Sequence, residues 1–262
     1  MPYAVIDDSV SLYYEIKGQG LPIVFVHPPV MGHQVFMHQE VLSQHYQTIT
    51  YDLRGHGRSS IGKEPLSILL LANDLKKLLD AVGIEKAVLC GFSNGGTIAQ
   101  EFALLYPERT AALILASAYP KVDHLGLKSL IVFGMAMSKL HQIPRLAKMQ
   151  AKTHKYYQSD VKKFFDYGKM ANAKSVYEYC KAGLQYDSTH SLYRLTMPVL
   201  MIFGTKEKPM HHHQKAFLRS AQHVEVAYIE GVSHETPPKK FPEFNETVQR
   251  FLQGINKPSP LQ

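Results

Sequence analysis

Short apolar runs alternating with segments of helical period constrain this 262-residue chain more than any other feature. "YAVID", "LYYEIKG", "PIVFVHP", "QTITYDL", "AVLCGF" and "AALILASA" follow one another between residues 3 and 118. Several are apolar without a break, as expected of strands covered on both faces of a parallel sheet. Helical spacing predicts helices at 33–45, 66–82 and 94–106, the last stopping before Pro107, which has no N–H for the next helical bond. The alternation resumes with "PVLMIFG", a helix near 211–221, "VEVAYIE" and a helix near 241–253. The predicted fold is α/β, a mostly parallel eight-stranded sheet with helices on both faces.

Residues 121–195 break the alternation. Val161, Phe164, Phe165 and Gly168 recur at i, i+3, i+4, i+7, as do Val176, Tyr179, Cys180 and Gly183, and no strand is convincing. This segment is predicted to be a helical cap inserted after the sixth strand, with 1–120 and 196–262 forming the core. The tail "NKPSPLQ" is expected to be mobile.

Composition narrows the class. With 45% hydrophobic and 19% charged residues the chain reads as a globular protein rather than a disordered or fibrous one. The N-terminus has neither a basic stretch nor an apolar core of a signal, and no apolar stretch approaches the ~20 residues that span a bilayer. The expected location is cytoplasmic, without stable membrane association. Cys90 and Cys180 have no metal-ligand spacing and read as buried thiols. The net charge of +7 is concentrated: residues 121–181 hold twelve Lys and Arg against four acids, and the rest of the chain is close to neutral. Such a segment suits an anionic small-molecule substrate, but lysines on solvated helix faces account for it equally. No nucleic-acid motif accompanies it, and the oligomeric state is not readable.

"AVLCGFSNGG" places Ser93 between an apolar strand and a helical pattern, with Gly91 two residues before it and Gly95 two after. A serine held in a strained strand-to-helix turn brings those neighbours into contact, and only glycine fits there. The turn would set the Ser93 hydroxyl above the C-terminal edge of the sheet, beside the free N–H groups of a helix start.

Taken with "VFVHPPVMG", "YDLRGHGRSS", "MPVLMIFGTKEK" and "IEGVSHETP" in their order, this stretch resembles the α/β-hydrolase superfamily over nearly the whole chain. The resemblance implies a nucleophile, acid and histidine in that chain order. Ser93 is then the nucleophile, and His234, after the last strand, the general base, with Ser233 standing where the family often has glycine. Glu207 in "GTKEK" takes the place of an acid that is more commonly aspartate, and Asp123 is the alternative acid. Asn94 is expected to give one oxyanion N–H. The family's His-Gly-x stretch reads His27-Pro28-Pro29 here, and proline has no N–H to offer. The second donor is therefore expected at Val30 or Met31.

The run His211-His212-His213 resembles a metal site. Consecutive side chains on a helix diverge by about 100°, and no partner residue is evident, so it reads as a solvated helix start and no metal or other cofactor is expected. "GHGRSS" is expected to shape the rim of the site. "GMAMSKLHQI" and the aromatics Tyr156, Tyr157, Phe164 and Phe165 suit either a pocket lining or ordinary packing. The function implied is a serine hydrolase cleaving a small carboxylic ester, thioester or lactone through an acyl-enzyme. Carbon–carbon bond hydrolysis and a ligand-binding or signalling module with slow turnover are the alternatives. Serine as the nucleophile argues against the dehalogenases and epoxide hydrolases that share the fold but use aspartate.

Overall fold

The structure, a computed structural model, describes residues 2–255. The tail expected to be mobile, 256–262, lies outside the described residues. The strands are β1 (Tyr3–Asp7), β2 (Val10–Lys17), β3 (Pro22–Val26), β4 (Gln47–Tyr51), β5 (Ala87–Phe92), β6 (Thr110–Ala116), β7 (Val199–Gly204) and β8 (Val224–Ile229). They form one sheet in the order β1-β2-β4-β3-β5-β6-β7-β8, antiparallel at β1/β2 and β2/β4 and parallel from β4 onward. Each run predicted as a strand is one.

The central strands explain the unbroken apolar runs. In β7, Val199, Met201 and Phe203 join the cluster on one face, whereas Leu200 and Ile202 join the cluster on the other. β5 does the same, with Ala87 and Leu89 opposed to Val88, Cys90 and Phe92. Successive side chains on a strand point to opposite faces, so burying both faces demands apolar residues at every position.

The helices of the core are α1 (Ile68–Ala81), α2 (Gly95–Leu105), α7 (Gln214–Ser220), α8 (Thr236–Lys239) and α9 (Phe241–Ile255). Ser67 caps α1, its hydroxyl accepting from the Leu70 N–H at 3.0 Å. The segment predicted as a helix at 33–45 is instead 3₁₀ from Gly32 to Gln44, interrupted at Phe36. The helix expected from 211 likewise begins as a 3₁₀ turn, Lys208–His213, before α7. Among the described residues no helix is long and apolar enough to cross a membrane.

Between β6 and β7 lie α3 (Leu125–Lys139), α4 (Ile143–His154), α5 (Asp160–Gly168) and α6 (Ala173–Gln185). α6 turns Val176, Tyr179, Cys180 and Gly183 inward, the four residues singled out by their spacing. Met135 and Met137 pack within the helices' own apolar cluster, and Phe164 in that of the sheet. The loop after β4 fastens this layer down. Asp52 accepts from the His33 and Arg58 amides at 2.9 and 3.0 Å and from the Tyr167 hydroxyl of α5 at 2.5 Å. The Asn172 N–H adds a bond to the Gly55 carbonyl at 2.7 Å. "GHGRSS" thus anchors the overlying helices.

Arg54 is the largest polar side chain buried in the core, 2% exposed. Asp74 of α1 receives its Nε and Nη2 at 2.5 and 2.7 Å, and Asp7 its Nη2 at 2.9 Å. One cation thereby joins β1, the β4 loop and α1. Removing a partner of a buried ion pair leaves a charge without compensation. Asp74→Ala is expected to lower the unfolding free energy in urea by roughly 3 kcal/mol, and a loss under about 1 kcal/mol, the scale of an exposed pair, would refute that role.

Candidate active site

β3 stands where the strand order reverses, paired with β4 on one side and β5 on the other. Open α/β sheets have their crevice at the C-terminal ends of such strands. The β3 end carries Pro28, Pro29 and Val30; the β5 end carries Ser93.

Ser93 has φ +52°, a left-handed conformation that L-residues rarely adopt. Its surroundings hold it there. A Cβ on Gly91 would lie 2.5 Å from the Gly96 Cα, and one on Gly95 would lie 2.1 Å from the Val26 carbonyl oxygen. The Ser93 N–H bonds to the Ala116 carbonyl of β6 at 2.9 Å. The hydroxyl is left pointing away from the sheet at the start of α2.

The structure brings Ser93, His234 and Glu207 together. The Ser93 hydroxyl donates to His234 Nε2 at 2.8 Å, and His234 Nδ1–H donates to Glu207 Oε1. Two backbone bonds clamp the acid loop to the histidine loop, from the Thr205 N–H to Ile229 and from the Lys206 N–H to Val232, both 3.0 Å. Asp123, the alternative acid, is not at His234; it lies 2.8 Å from His212.

The other oxygen of Glu207 accepts from the Ser117 hydroxyl at 2.6 Å. Ser117 is buried, follows β6 and has φ +46°. Sequence reading missed it, because its only signal is a polar residue closing the run "AALILASA". Burial pushes the Glu207 carboxyl up, but the charge and hydrogen bond of His234, with Ser117, outweigh this and hold it below the usual carboxylate value. For His234 burial acts downward, and the charge and hydrogen bond of Glu207 carry it above the usual imidazole value of 6.5.

Val30 and Asn94 flank Ser93 on the floor of one cavity. Among the described residues no carbonyl accepts the N–H of Val30, Met31 or Asn94. Val30 has φ +82°, an outlier for a β-branched residue, of a kind that costs about 1–3 kcal/mol. His27 beside it is a strut: Nδ1–H donates to the Pro28 carbonyl at 2.8 Å, and Nε2 accepts from the Leu53 N–H at 2.9 Å. Burial, reinforced by His56, lowers its pKa to about 3 and keeps it neutral. The Asn94 side chain turns from the cavity, accepting from the Tyr119 hydroxyl at 2.8 Å and donating to the Tyr179 carbonyl of α6 at 3.2 Å.

The cavity measures about 290 Å³. Its ceiling comes from α3 and α4, including Leu127, Ile131, Phe133, Leu146 and Met149, with Gln150, Thr153 and His154 as the polar points. Gln150 Oε1 is buried without a partner. Of "GMAMSKLHQI" only Gly134 reaches the lining, and Tyr156, Tyr157, Phe164 and Phe165 do not. Among the described residues no lysine or arginine lines the cavity, so the steering of an anionic substrate inferred from charge finds no side chain there.

"MHHHQ" departs from its reading as a solvated helix start. His213 is buried, His211 Nε2 meets the Gly204 carbonyl at 2.9 Å, and Asp123 supplies the partner that the sequence did not disclose. Cys90 and Cys180 are free and buried, as expected.

Known proteins place this arrangement. The family described as "alpha/beta hydrolase fold" matches residues 22–236. The chain is 26% identical to 3-oxoadipate enol-lactonase 2 of Acinetobacter baylyi over 256 residues, 95% of each chain. It is 40% identical to the putative carbamate hydrolase RutD of Azorhizobium caulinodans over 124 residues, 47% of this chain; the match spans 46% of that protein, about half its length. Among solved structures, the enol-lactonase from Burkholderia xenovorans LB400 superposes with a TM-score of 0.83 at 21% identity, covering 96% of this chain and 100% of that one. An esterase from Exiguobacterium antarcticum gives 0.85 at 20% identity, covering 96% and 98%. These last two are likenesses of fold. With the family's match running through most of its length, the chain belongs to the α/β-hydrolase fold family.

Proposed function

We propose that this protein is a serine hydrolase cleaving a small, uncharged carboxylic ester, thioester or lactone. The observation that carries the reading is the unbroken hydrogen-bond chain Ser93–His234–Glu207–Ser117 at the floor of an apolar cavity. A serine hydroxyl needs an adjacent base, and that base needs an orienting acceptor. The enol-lactonase among the similar proteins is named for chemistry on a lactone, one of these substrate classes.

In this reading Ser93 Oγ attacks the carbonyl carbon while its proton passes to His234 Nε2. The N–H groups of Asn94 and Val30 receive the developing oxyanion. Val30 is preferred to Met31 because it follows the two prolines directly and is held in a strained left-handed φ in the same cavity lining as Ser93. His234 then protonates the leaving oxygen or sulfur as the carbonyl re-forms, giving an acyl-Ser93. A water deprotonated by His234 attacks the acyl carbon, and the acid departs. Glu207 holds the imidazole and stabilises its charged form.

The four helices within 121–195 serve as the cap, and 1–120 with 196–262 as the core. Substrate choice rests with the cap's inner side. Its apolar ceiling suits an alkyl or aryl group, and the unpaired Gln150 oxygen suits one hydrogen-bond donor on the substrate.

Ser93→Ala is expected to lower the rate of release of 4-nitrophenol from short-chain esters by at least about a thousandfold without loss of the folded circular-dichroism signal. Retained turnover would overturn the assignment. Slow, single-turnover release by the unmodified protein would point instead to the ligand-binding alternative.

The base must be neutral to accept the proton, and the His234 pKa is raised, so kcat/KM should fall as pH drops through an acidic limb lying above 6.5. Glu207→Gln removes the main influence that raises it and leaves burial, which lowers it, opposed by the charge of Glu235. The limb should move to lower pH while kcat drops by about a hundredfold or more. An unmoved limb would remove Glu207 from the mechanism.

Ser117→Ala leaves a buried carboxylate oxygen unpaired, which raises the Glu207 pKa. It should reduce kcat more at the acidic end of the profile than at pH 8, with KM little changed; a uniform loss at every pH would make Ser117 merely structural.

A further inference from the structure

We propose that Asp123, His212 and His213 form a site for one divalent transition-metal ion, zinc being the best match, independent of the hydrolytic reading above. The site lies between two chain segments that meet only in the fold. Asp123 stands two residues before α3, where the chain leaves the sheet; the histidines close the 3₁₀ turn that follows Glu207.

The candidate donor atoms all lie within 4.8 Å of one another. Asp123 Oδ1 is 2.8 Å from His212 Nε2 and 3.7 Å from His213 Nε2. Ligands about 2.0–2.2 Å from a tetrahedral zinc are separated by roughly 3.3 Å, a value these two distances bracket. The remaining adjustment falls on His212, whose side chain is 42% exposed.

His212 Nδ1 meets the Pro209 carbonyl at 2.8 Å, which leaves Nε2 facing Asp123 Oδ1. The indication of a cation comes from His213. Its residue is 2% exposed, and its Nε2 is buried with no hydrogen-bond partner. An unpaired buried nitrogen of this kind calls for an explanation, and an ion bound to it supplies one.

The neighbouring histidines are accounted for differently. His211 Nε2 is engaged by the Gly204 carbonyl. His124 Nδ1 accepts from the Leu127 N–H at 3.2 Å, which leaves its buried Nε2 as an N–H. It is therefore a donor and not a ligand. Two imidazoles and a carboxylate suit zinc, nickel and copper, and do not suit magnesium or calcium, which take oxygen. A bound ion would tie the stem of the overlying helices to the loop that carries Glu207.

The experiment uses the full chain without a histidine tag, stripped with EDTA and titrated with zinc sulfate by calorimetry, with thermal unfolding followed in parallel. One zinc per chain should bind saturably and raise the midpoint by several degrees; magnesium should do neither. Asp123→Asn and His213→Ala should each weaken zinc binding more than about tenfold, with the midpoint of the metal-free Asp123→Asn protein close to that of the unmodified chain. His211→Ala should bind as the unmodified chain does. Absence of saturable zinc binding would overturn the site. So would binding by Asp123→Asn and His213→Ala as tight as that of the unmodified chain, which would trace the metal to the exposed imidazoles alone. Neither result bears on whether Ser93 is the nucleophile.

Discussion

The strand-to-helix turn at Ser93 is the constraint on which the rest depends. A left-handed serine costs energy that only a crowded, rigid surrounding can offset. The Val26 carbonyl on one side and the start of α2 on the other leave no room for a Cβ at positions 91 and 95. β5 must therefore be central, flanked by β3 and β6, and both its faces must be covered. The sheet's apolar alternation and the position of the Ser93 hydroxyl are two consequences of a single packing arrangement.

From that fixed point the electrostatics follow. A buried carboxylate is expensive unless its oxygens are hydrogen-bonded. Glu207 has His234 on one oxygen and Ser117 on the other. This pairing opposes the effect of burial in both partners, keeping the acid ionised and the imidazole more basic than in water. Ser117 itself sits beyond β6, beside the strand that carries Ser93, so the sheet sets Ser117, the partner of Glu207, and Ser93 by the same register.

The overlying helices are held by polar contacts at their edges and apolar ones between. Asp52, drawn to about pH 2 because His33 bonds and charge outweigh the cost of burial, joins Tyr167 of α5 to the β4 loop. Asn94 bonds Tyr119 and the Tyr179 carbonyl, so the residue next to Ser93 is also tied to α6. The basic side chains of this layer stay out of the cavity, which explains how a strongly cationic segment can cover an apolar one.

Much of this was legible in the chain alone. Period-two burial on both faces leaves an unbroken apolar run in the sequence, so all eight strands could be read. The glycines around Ser93 were legible because the steric demand acts on neighbours two residues away. His234 and Glu207 could be named from family order, since loops at fixed strand ends keep their place even when their residues vary. Contacts that join distant segments through ordinary residue types were not legible. Ser117 looks like any serine ending a strand; Asp123 looks like a spare acid until the fold sets it against His212. The 3₁₀ turns at 32–44 and 208–213 also escaped, because helical periodicity near three and near 3.6 differs little over two turns. Local sterics and hydrophobic period are written in adjacent residues and survive in one dimension. Cavity lining, hydrogen-bond partners and the shifted acidities depend on which surfaces meet, and only the tertiary structure decides that.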